Sequence, residues 1–415
     1  MKKELIMMAM ALSIGSVNAQ KTKTYTTAER LYFEGKEMYD LKQYNTAFRY
    51  LDEYLQDKDV DREEYYAEAE YLLACCAYEM DRKDTRGRLE RFVANNPHSS
   101  HISRILFLQG SIYFQKGKYK EALEQYFCKV DPRKLSKKEK ADYFFRHGYC
   151  NLQLQDYDKA HSSLTTLCDL NNDNYQKSGK YYLAYIDYLK KNYDAALPTF
   201  ISLQNDSEYE SIVPYYIAQI YYYKNMDEKV FEYGHSIIEK YPNNKSNSEI
   251  YRIIGECYFK KNDYKQTIKY LSEYAKTTDQ IMRNNIYMLG TSYCKTQDWK
   301  NAMENLQKVT TDNDELSQNA YLNLGNSYLK VGDKTNARMC FAQASKMEFD
   351  KEVQEEAMFN YALVVYDQSY SPFDESVTTF ENFLEKFPKS NYKNRIYDYL
   401  LNVYMTTKNY EAAYA

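Results

Sequence analysis

Eight cysteines and five histidines are the side chains of widest chemical range in this 415-residue chain. The thiols are Cys75, Cys76, Cys128, Cys150, Cys168, Cys257, Cys294 and Cys340. No two of them are spaced C-x-x-C, the arrangement that redox and zinc sites share. The histidines are His98, His101, His147, His161 and His235, with His98 and His101 the one close pair. A metal needs three or four convergent ligands, and neither a carboxylate nor a thiol joins that pair at helical spacing. H-E-x-x-H, G-x-S-x-G, the P-loop and G-x-G-x-x-G are all absent. Acidic residues number 59 against 55 basic ones, so carboxylates are plentiful but no pair is singled out. The expectation is a protein that is not an enzyme and holds neither metal nor cofactor.

The elements that carry these residues are constrained by composition. There are 48 Tyr, 18 Phe and 1 Trp, but only 12 Gly and 7 Pro. A strand-and-turn architecture needs turn residues every ~8–12 positions, so it is excluded. The aromatic content excludes an extended disordered chain. A mean hydropathy of −0.77 excludes a polytopic membrane protein. A net charge of −4 offers no electrostatic reason for nucleic-acid binding. At the start, Lys2 and Lys3 precede a mostly apolar run of 13 residues, Leu5 to Val17, and Val17-Asn18-Ala19 supplies small side chains. Thirteen residues are too few to span a bilayer, which takes ~20, so residues 1–19 read as a signal peptide cleaved before Gln20. The mature protein is expected to be periplasmic and soluble, without an integral membrane segment and without the Cys that a lipid anchor requires at its first position.

From there on the chain repeats itself. Leu106–Tyr126 (LFLQGSIYFQKGKYKEALEQY), Leu289–Leu306 (LGTSYCKTQDWKNAMENL) and Leu324–Phe341 (LGNSYLKVGDKTNARMCF) share one pattern. Each has a small residue, an aromatic three positions on, Ala twelve positions on and a bulky apolar group four further. The small residue recurs at Gly35, Ala74, Gly110, Gly148, Ala184, Ala218, Gly255, Gly290, Gly325 and Ala362, with a less ideal eleventh match at Leu401. Successive copies are 34 to 39 residues apart. Twelve residues after the small one come Ala47, Ala122, Ala160, Ala196, Val230, Thr267, Ala302, Ala337 and Ala413. The length variation therefore lies between repeats, where a solenoid tolerates it. Small side chains at both places let two antiparallel helices approach closely at their crossing. Gly290 and Ala302 are expected to face each other at one such crossing. An aromatic opens the second helix at Tyr44, Tyr119, Tyr157, Tyr193, Tyr264, Trp299 and Tyr410.

This pattern resembles the tetratricopeptide repeat, of W-x2-L-G-x2-Y…A-x3-F…P form, over about residues 28–415. The resemblance implies an all-α solenoid, a right-handed superhelix of about eleven helical hairpins. Residues 20–415 are drawn as one solenoid, its last repeat incomplete. In the family's register the recurring small residues take positions 8 and 20. Cys76, Cys150 and Cys257 then share position 10, which reads as packing rather than disulfide chemistry. Three departures stand out: in repeat 2 Arg86 and Gly87 stand where a small packing residue and a helix former belong, repeat 10 is two residues longer around Tyr370–Phe373, and Pro198 lies inside a second helix. Asp131–Lys140 (DPRKLSKKEK) is a basic connection expected to be solvated.

The resemblance also implies a concave surface lined by positions 2, 5, 9, 12 and 13 of each first helix. Those positions hold Phe107, Phe114, Phe145, Tyr149, Tyr181, Tyr185, Tyr188, Tyr215, Tyr222 and Tyr223 in repeats 3–6. Position 13 of the next three repeats holds Lys260, Lys295 and Lys330, 35 residues apart. Aromatics supply large contact area at little entropic cost, and a lysine row would attract an acidic segment. The Lys/Asn clamp that some family members use for a terminal carboxylate is not reproduced, because the matching positions hold Tyr287, Asn323 and Glu356. Packing between neighbouring helices is the competing account of every aromatic in this set.

The function expected is a protein–protein interaction scaffold of the bacterial cell envelope that binds a protein or peptide segment in its groove. A glycan-binding or nutrient-uptake accessory is the first alternative, since tyrosines also stack on sugars. The second is an N-terminal interaction arm of a longer protein with a downstream functional domain. Arg395–Tyr410 supplies a first helix with little second helix to follow, so the natural chain is expected to continue. Leu400, Leu401 and Tyr404 should then be partly exposed.

Overall fold

The turn that leads into the second helix is built on one pattern, whether that helix opens with Tyr, Trp, Asp227 or Lys334. In ten repeats the backbone enters the left-handed region seven residues after position 8. It does so at Lys42, Asp81, Gln155, Lys191, Asn225, Asn262, Gln297 and Lys408, and at Gly117 and Gly332. That single residue reverses the chain. In four repeats the next residue is aspartate: Asp156, Asp263, Asp298 and Asp333 each accept a hydrogen bond from the backbone N–H three residues on, capping the second helix.

The computed structural model describes residues 30–57, 65–244, 247–368 and 374–414. Residues 1–19 and Tyr370–Phe373 lie outside these segments. Twenty-two α-helices and no strand are present among the described residues. They form hairpins α1/α2 (Arg30–Asp40, Tyr44–Gln56), α3/α4 (Tyr66–Glu79, Thr85–Asn95), α5/α6 (Ile102–Gln115, Tyr119–Glu121), α7/α8 (Lys137–Gln153, Tyr157–Asp169) and α9/α10 (Asp173–Leu189, Tyr193–Leu203). The next are α11/α12 (Val213–Tyr223, Asp227–Lys240), α13/α14 (Asn247–Lys260, Tyr264–Thr277) and α15/α16 (Arg283–Lys295, Trp299–Gln307). The last are α17/α18 (Glu315–Lys330, Lys334–Lys346), α19/α20 (Lys351–Gln368, Asp374–Lys386) and α21/α22 (Lys393–Thr406, Tyr410–Tyr414). The chain divides into two compact units, Met1–Thr199 and Phe200–Ala415, and the division falls inside α10 one residue after Pro198. Within each unit a helix packs on its sequence neighbour, and first helices of adjacent repeats also touch: α1 on α3, α5 on α7, α7 on α9, then α11 on α13, α13 on α15, α15 on α17 and α17 on α19. This is the order of an α-solenoid.

The position-20 residues from Ala47 to Ala337 are sealed in the cores, as the spacing requires. A Cβ added at Gly290 would lie 2.7 Å from Leu306 Cγ, so Gly290 approaches Leu306 and not Ala302. Gly35, Gly148 and Gly255 meet Leu51, Leu164 and Leu271 in the same way. Repeat 2 departs from this geometry. Its turn is one residue shorter, so Thr85, not Arg86, occupies the buried site and donates to the Ala77 carbonyl at 2.8 Å. Gly87 meets nothing within 4 Å. Repeat 3 departs the opposite way: Ala122–Tyr126 is a π-helical turn that inserts one residue. Phe127 thereby replaces Tyr126 as the group packed on Gly110. In repeat 10 the buried small residue is Ser376, two positions late, as the extra length implies. All eight cysteines are free, and burial pushes Cys76, Cys150, Cys257 and Cys340 up to about 12. At α21, Leu400 is buried, Leu401 is 48% exposed and Tyr404 is half-buried, so the partial exposure expected of the three holds for Leu401 and Tyr404 and fails for Leu400.

Candidate functional site

Adjacent first helices bring the aromatic positions of repeats 3–5 into one surface in the first unit. Phe114 on α5 meets Tyr149 on α7 at 5.6 Å and 72°, and Tyr119 closes the triangle at 5.7 and 5.5 Å. Tyr149 leads to Tyr182 on α9 at 5.4 Å, and Phe145 lies between Tyr175 and Tyr182 at 5.1 and 5.9 Å. Tyr182 abuts Tyr181, and from there Tyr181, Tyr185 and Tyr188 form a row of nearly parallel rings, 6.3 and 6.4 Å apart. Each edge or stacked pair contributes ~0.5–1.5 kcal/mol beyond its burial, so the surface is preorganised. Its members are half-buried. Burial pushes the Tyr149 and Tyr175 hydroxyls up to about 12, with Asp142 adding to the effect at Tyr175.

Phe107 does not belong to this surface. It is 2% exposed, packs on Phe127, and is covered by Arg146, whose guanidinium lies 5.6 Å from its ring and 5.7 Å from that of Phe114. Among the described residues Arg146 makes no hydrogen bond or ion pair, and its Nη1 is buried. Arg104 on α5 has the opposite character. Its Nε donates to Glu139 at 2.5 Å, and its Nη1 to Tyr39 at 3.0 Å and to Tyr71. Burial works against the charge on Arg104, and the facing Cys75, Tyr71, Tyr39 and Glu139 outweigh it, so its pKa lies above the ordinary value. His101 stacks on Tyr71 at 3.8 Å and pairs with Glu68 at 2.8 Å instead of joining His98. Among the described residues no group of three His, Cys, Asp or Glu is placed to hold a metal.

In the second unit the corresponding surface is closed by ions. Arg252, 9% exposed, donates to Glu249 at 2.8 Å and to Glu256 at 2.7 Å. Glu256, 6% exposed, also accepts from Asn285 at 2.8 Å. Burial and then the adjacent Glu256 raise the Tyr222 pKa. Lys260 lies over the Tyr222 ring at 4.1 Å and is thereby engaged within the protein. Lys295 and Lys330 are exposed and have no ion pair among the described residues. Tyr215 is half-buried against Tyr216 at 5.2 Å, and Tyr223 is exposed.

Sequence reasoning missed Tyr119, Tyr175, Tyr182, Arg104, Arg146 and the Arg252 cluster. One signal was available. In repeats 1–10, position 5 is Tyr32, Tyr71, Phe107, Phe145, Tyr181, Tyr215, Arg252, Tyr287, Leu322 and Phe359, and Arg252 is the sole charge in that column.

Models of the tetratricopeptide repeat match residues 68–99, 103–126, 285–314 and 318–351. The chain is thus an all-α solenoid in which these four segments match the tetratricopeptide repeat, a repeat that builds protein–protein interaction scaffolds. No curated protein matches it. Among solved structures it is similar to YrrB, described as a tetratricopeptide-repeat protein with an unusual peptide-binding site, at 17% identity and TM-score 0.39 over 46% of this chain and 93% of that one. It is also similar to the Cut9–Hcn1 assembly of the APC/C, at 13% identity and TM-score 0.30 over 94% and 85% of the two chains. MamA matches at 14% identity and TM-score 0.36 over 42% and 93%. Among the described residues no helix is long and apolar enough to cross a membrane.

Proposed function

We propose that the protein is an exported scaffold of the bacterial cell envelope that holds a segment of a protein partner on the first-helix surface of its repeats. The observation that carries this reading is the aromatic surface from Phe114 to Tyr188, whose rings are ordered against one another yet only half-buried. A surface already rigid before binding loses little entropy when a segment settles on it. Tyr and Phe are the residue types that anchor such contacts. Periplasmic location is supported by the signal-like residues 1–19.

The test places a photo-crosslinking amino acid at Tyr185 in the native host and identifies the trapped species by mass spectrometry. A defined envelope protein is the expected product. Retention on a glycan matrix with no protein crosslinked would replace this reading by the carbohydrate one. Export is checked separately by the N-terminal sequence of the protein from the periplasmic fraction, expected to begin at Gln20. A cytosolic protein with an intact Met1 would overturn it.

A further inference from the structure

We propose that the first helices of repeats 9–11 hold an extended, acidic polypeptide segment by its main chain, through the carboxamides of Asn323, Asn326, Asn360 and Asn402. This rests on the scaffold reading above and adds to it a separate docking surface, in the second unit, with the partner's chemistry named.

The asparagines are placed by repeat. Positions 6 and 9 of the first helices hold asparagine four times in repeats 9–11 and never in repeats 1–8. These side chains join neighbouring first helices. Asn323 on α17 donates to the Tyr287 hydroxyl on α15 at 3.4 Å, and Asn360 on α19 donates to Asn326 Oδ1 on α17 at 3.5 Å. Asn402 on α21 donates to the Tyr366 hydroxyl on α19 at 2.8 Å. The carboxamides are thus held across three successive junctions before anything binds, so little entropy is left to lose. Asn323, Asn326 and Asn360 are half-buried and Asn402 is exposed.

Their remaining capacity selects the occupant. A carboxamide carries two N–H donors and an oxygen with two lone pairs. Among the described residues Asn323, Asn360 and Asn402 each spend one N–H, and their Oδ1 atoms accept nothing. Asn326 accepts one bond and donates none. What is left is an uncharged row of donors and acceptors, and each peptide unit offers one of either kind in return. A helical segment has already spent its N–H and C=O groups internally, so only an extended one can meet the row. No cation stands at positions 6 and 9 of these repeats to select a free anion instead. Charge enters at position 13, where Lys295 on α15 and Lys330 on α17 are exposed and without an ion pair among the described residues. They supply counter-charges for acidic side chains of the segment.

The probe is a fluorescently labelled decapeptide of alternating Thr and Glu with both termini blocked, titrated against the full chain by anisotropy. A second probe has the same sequence with every Thr N-methylated, which removes main-chain donors and adds no charge. The first should bind, and the second should bind about tenfold more weakly. Asn360→Ala should weaken the first probe about tenfold, with the helical signal retained. A Thr-Lys decapeptide should also bind more weakly, and equal affinity would remove Lys295 and Lys330 from the proposal. Equal binding of the N-methylated and plain probes by the unaltered protein would overturn main-chain recognition without any variant having to fold. No binding of the Thr-Glu probe, while a partner still crosslinks at Tyr185, would overturn this surface and leave the scaffold intact. Loss of both the crosslink and the probe binding would overturn both.

Discussion

Position 5 of repeat 5 is Tyr181 and position 5 of repeat 7 is Arg252, and their surroundings are of opposite kinds. Around Tyr181 the rings order one another and remain half-buried, and in the same unit Arg146, set against Phe107 and Phe114, has no acceptor for its Nη1. Around Arg252 every charge is answered from within: two glutamates, an asparagine and the Lys260–Tyr222 contact complete one another. The same hairpin geometry therefore supports a surface that is finished and one that is not. Residue type alone does not distinguish them, since tyrosines are present in both. A charge with no opposite charge beside it does, since Asn285 Oδ1 in the Arg252 cluster is buried without a partner as well.

The contrast breaks most visibly on the two arginines. Arg252→Met strands Glu256 as a buried unpaired charge and should cost ~3–5 kcal/mol, read as a lower denaturation midpoint. Arg146→Met leaves no carboxylate behind and forgoes mainly its ring contacts, so it should stay within ~1–2 kcal/mol of the parent. Equal losses at the two sites would erase the distinction. A smaller effect compares glycines. Gly290→Ala would put a Cβ 3.2 Å from the Leu306 backbone nitrogen and should cost ~1–3 kcal/mol in thermal unfolding. Gly87→Ala meets nothing and should be neutral or stabilising by ~0.5–1 kcal/mol.

Next come the tyrosines. Tyr185→Ala should weaken a crosslinked partner by more than ~1 kcal/mol without loss of helix. Tyr222→Ala uncovers Lys260 and Glu256, and its effect should appear in stability rather than affinity. The reverse assignment would sink the reading of the second surface as closed.

The smallest effect is that of pH. Burial, with Lys159 adding to it, depresses the His147 pKa below its ordinary 6.5, and burial and Lys269 depress His235. The unfolded chain binds the proton more readily than the folded one, so this stability is complete above about pH 6.5 and is lost as pH falls through the folded values. Melting temperature should drop between pH 7.5 and 5.5. His147→Gln should flatten that slope, although the loss of the 2.8 Å bond to Ser163 lowers the whole curve.

The hairpins were legible because close packing demands a small residue at a fixed place, and Gly290 or Ala302 cannot be exchanged for bulk without a collision. The turn of repeat 2 and the π turn at Ala122–Tyr126 were not, because one residue more or less leaves no mark in composition and only the burial of Thr85 and Phe127 reveals it. Phe107 was misread for a related reason: position 5 faces outward or inward according to what covers it, and Arg146 comes from the following repeat. The Arg104 network draws on helices of four successive repeats, a convergence that no single-repeat pattern contains.

The left-handed residue that reverses each hairpin has a bearing on engineering. Eight of these ten turns place a side chain where glycine would sit without steric penalty. A left-handed conformation costs an ordinary L-residue ~1–2 kcal/mol, partly offset by the greater freedom glycine has in the unfolded chain. Asp81, Asn225 and Asn262 are of types that adopt this conformation readily, so the toll falls on five turns, at Lys42, Gln155, Lys191, Gln297 and Lys408. A version with glycine at Lys42, Gln155, Lys191 and Gln297 would relieve that cost at exposed turn positions, and its melting temperature would show how much of it survives the greater freedom of the unfolded chain.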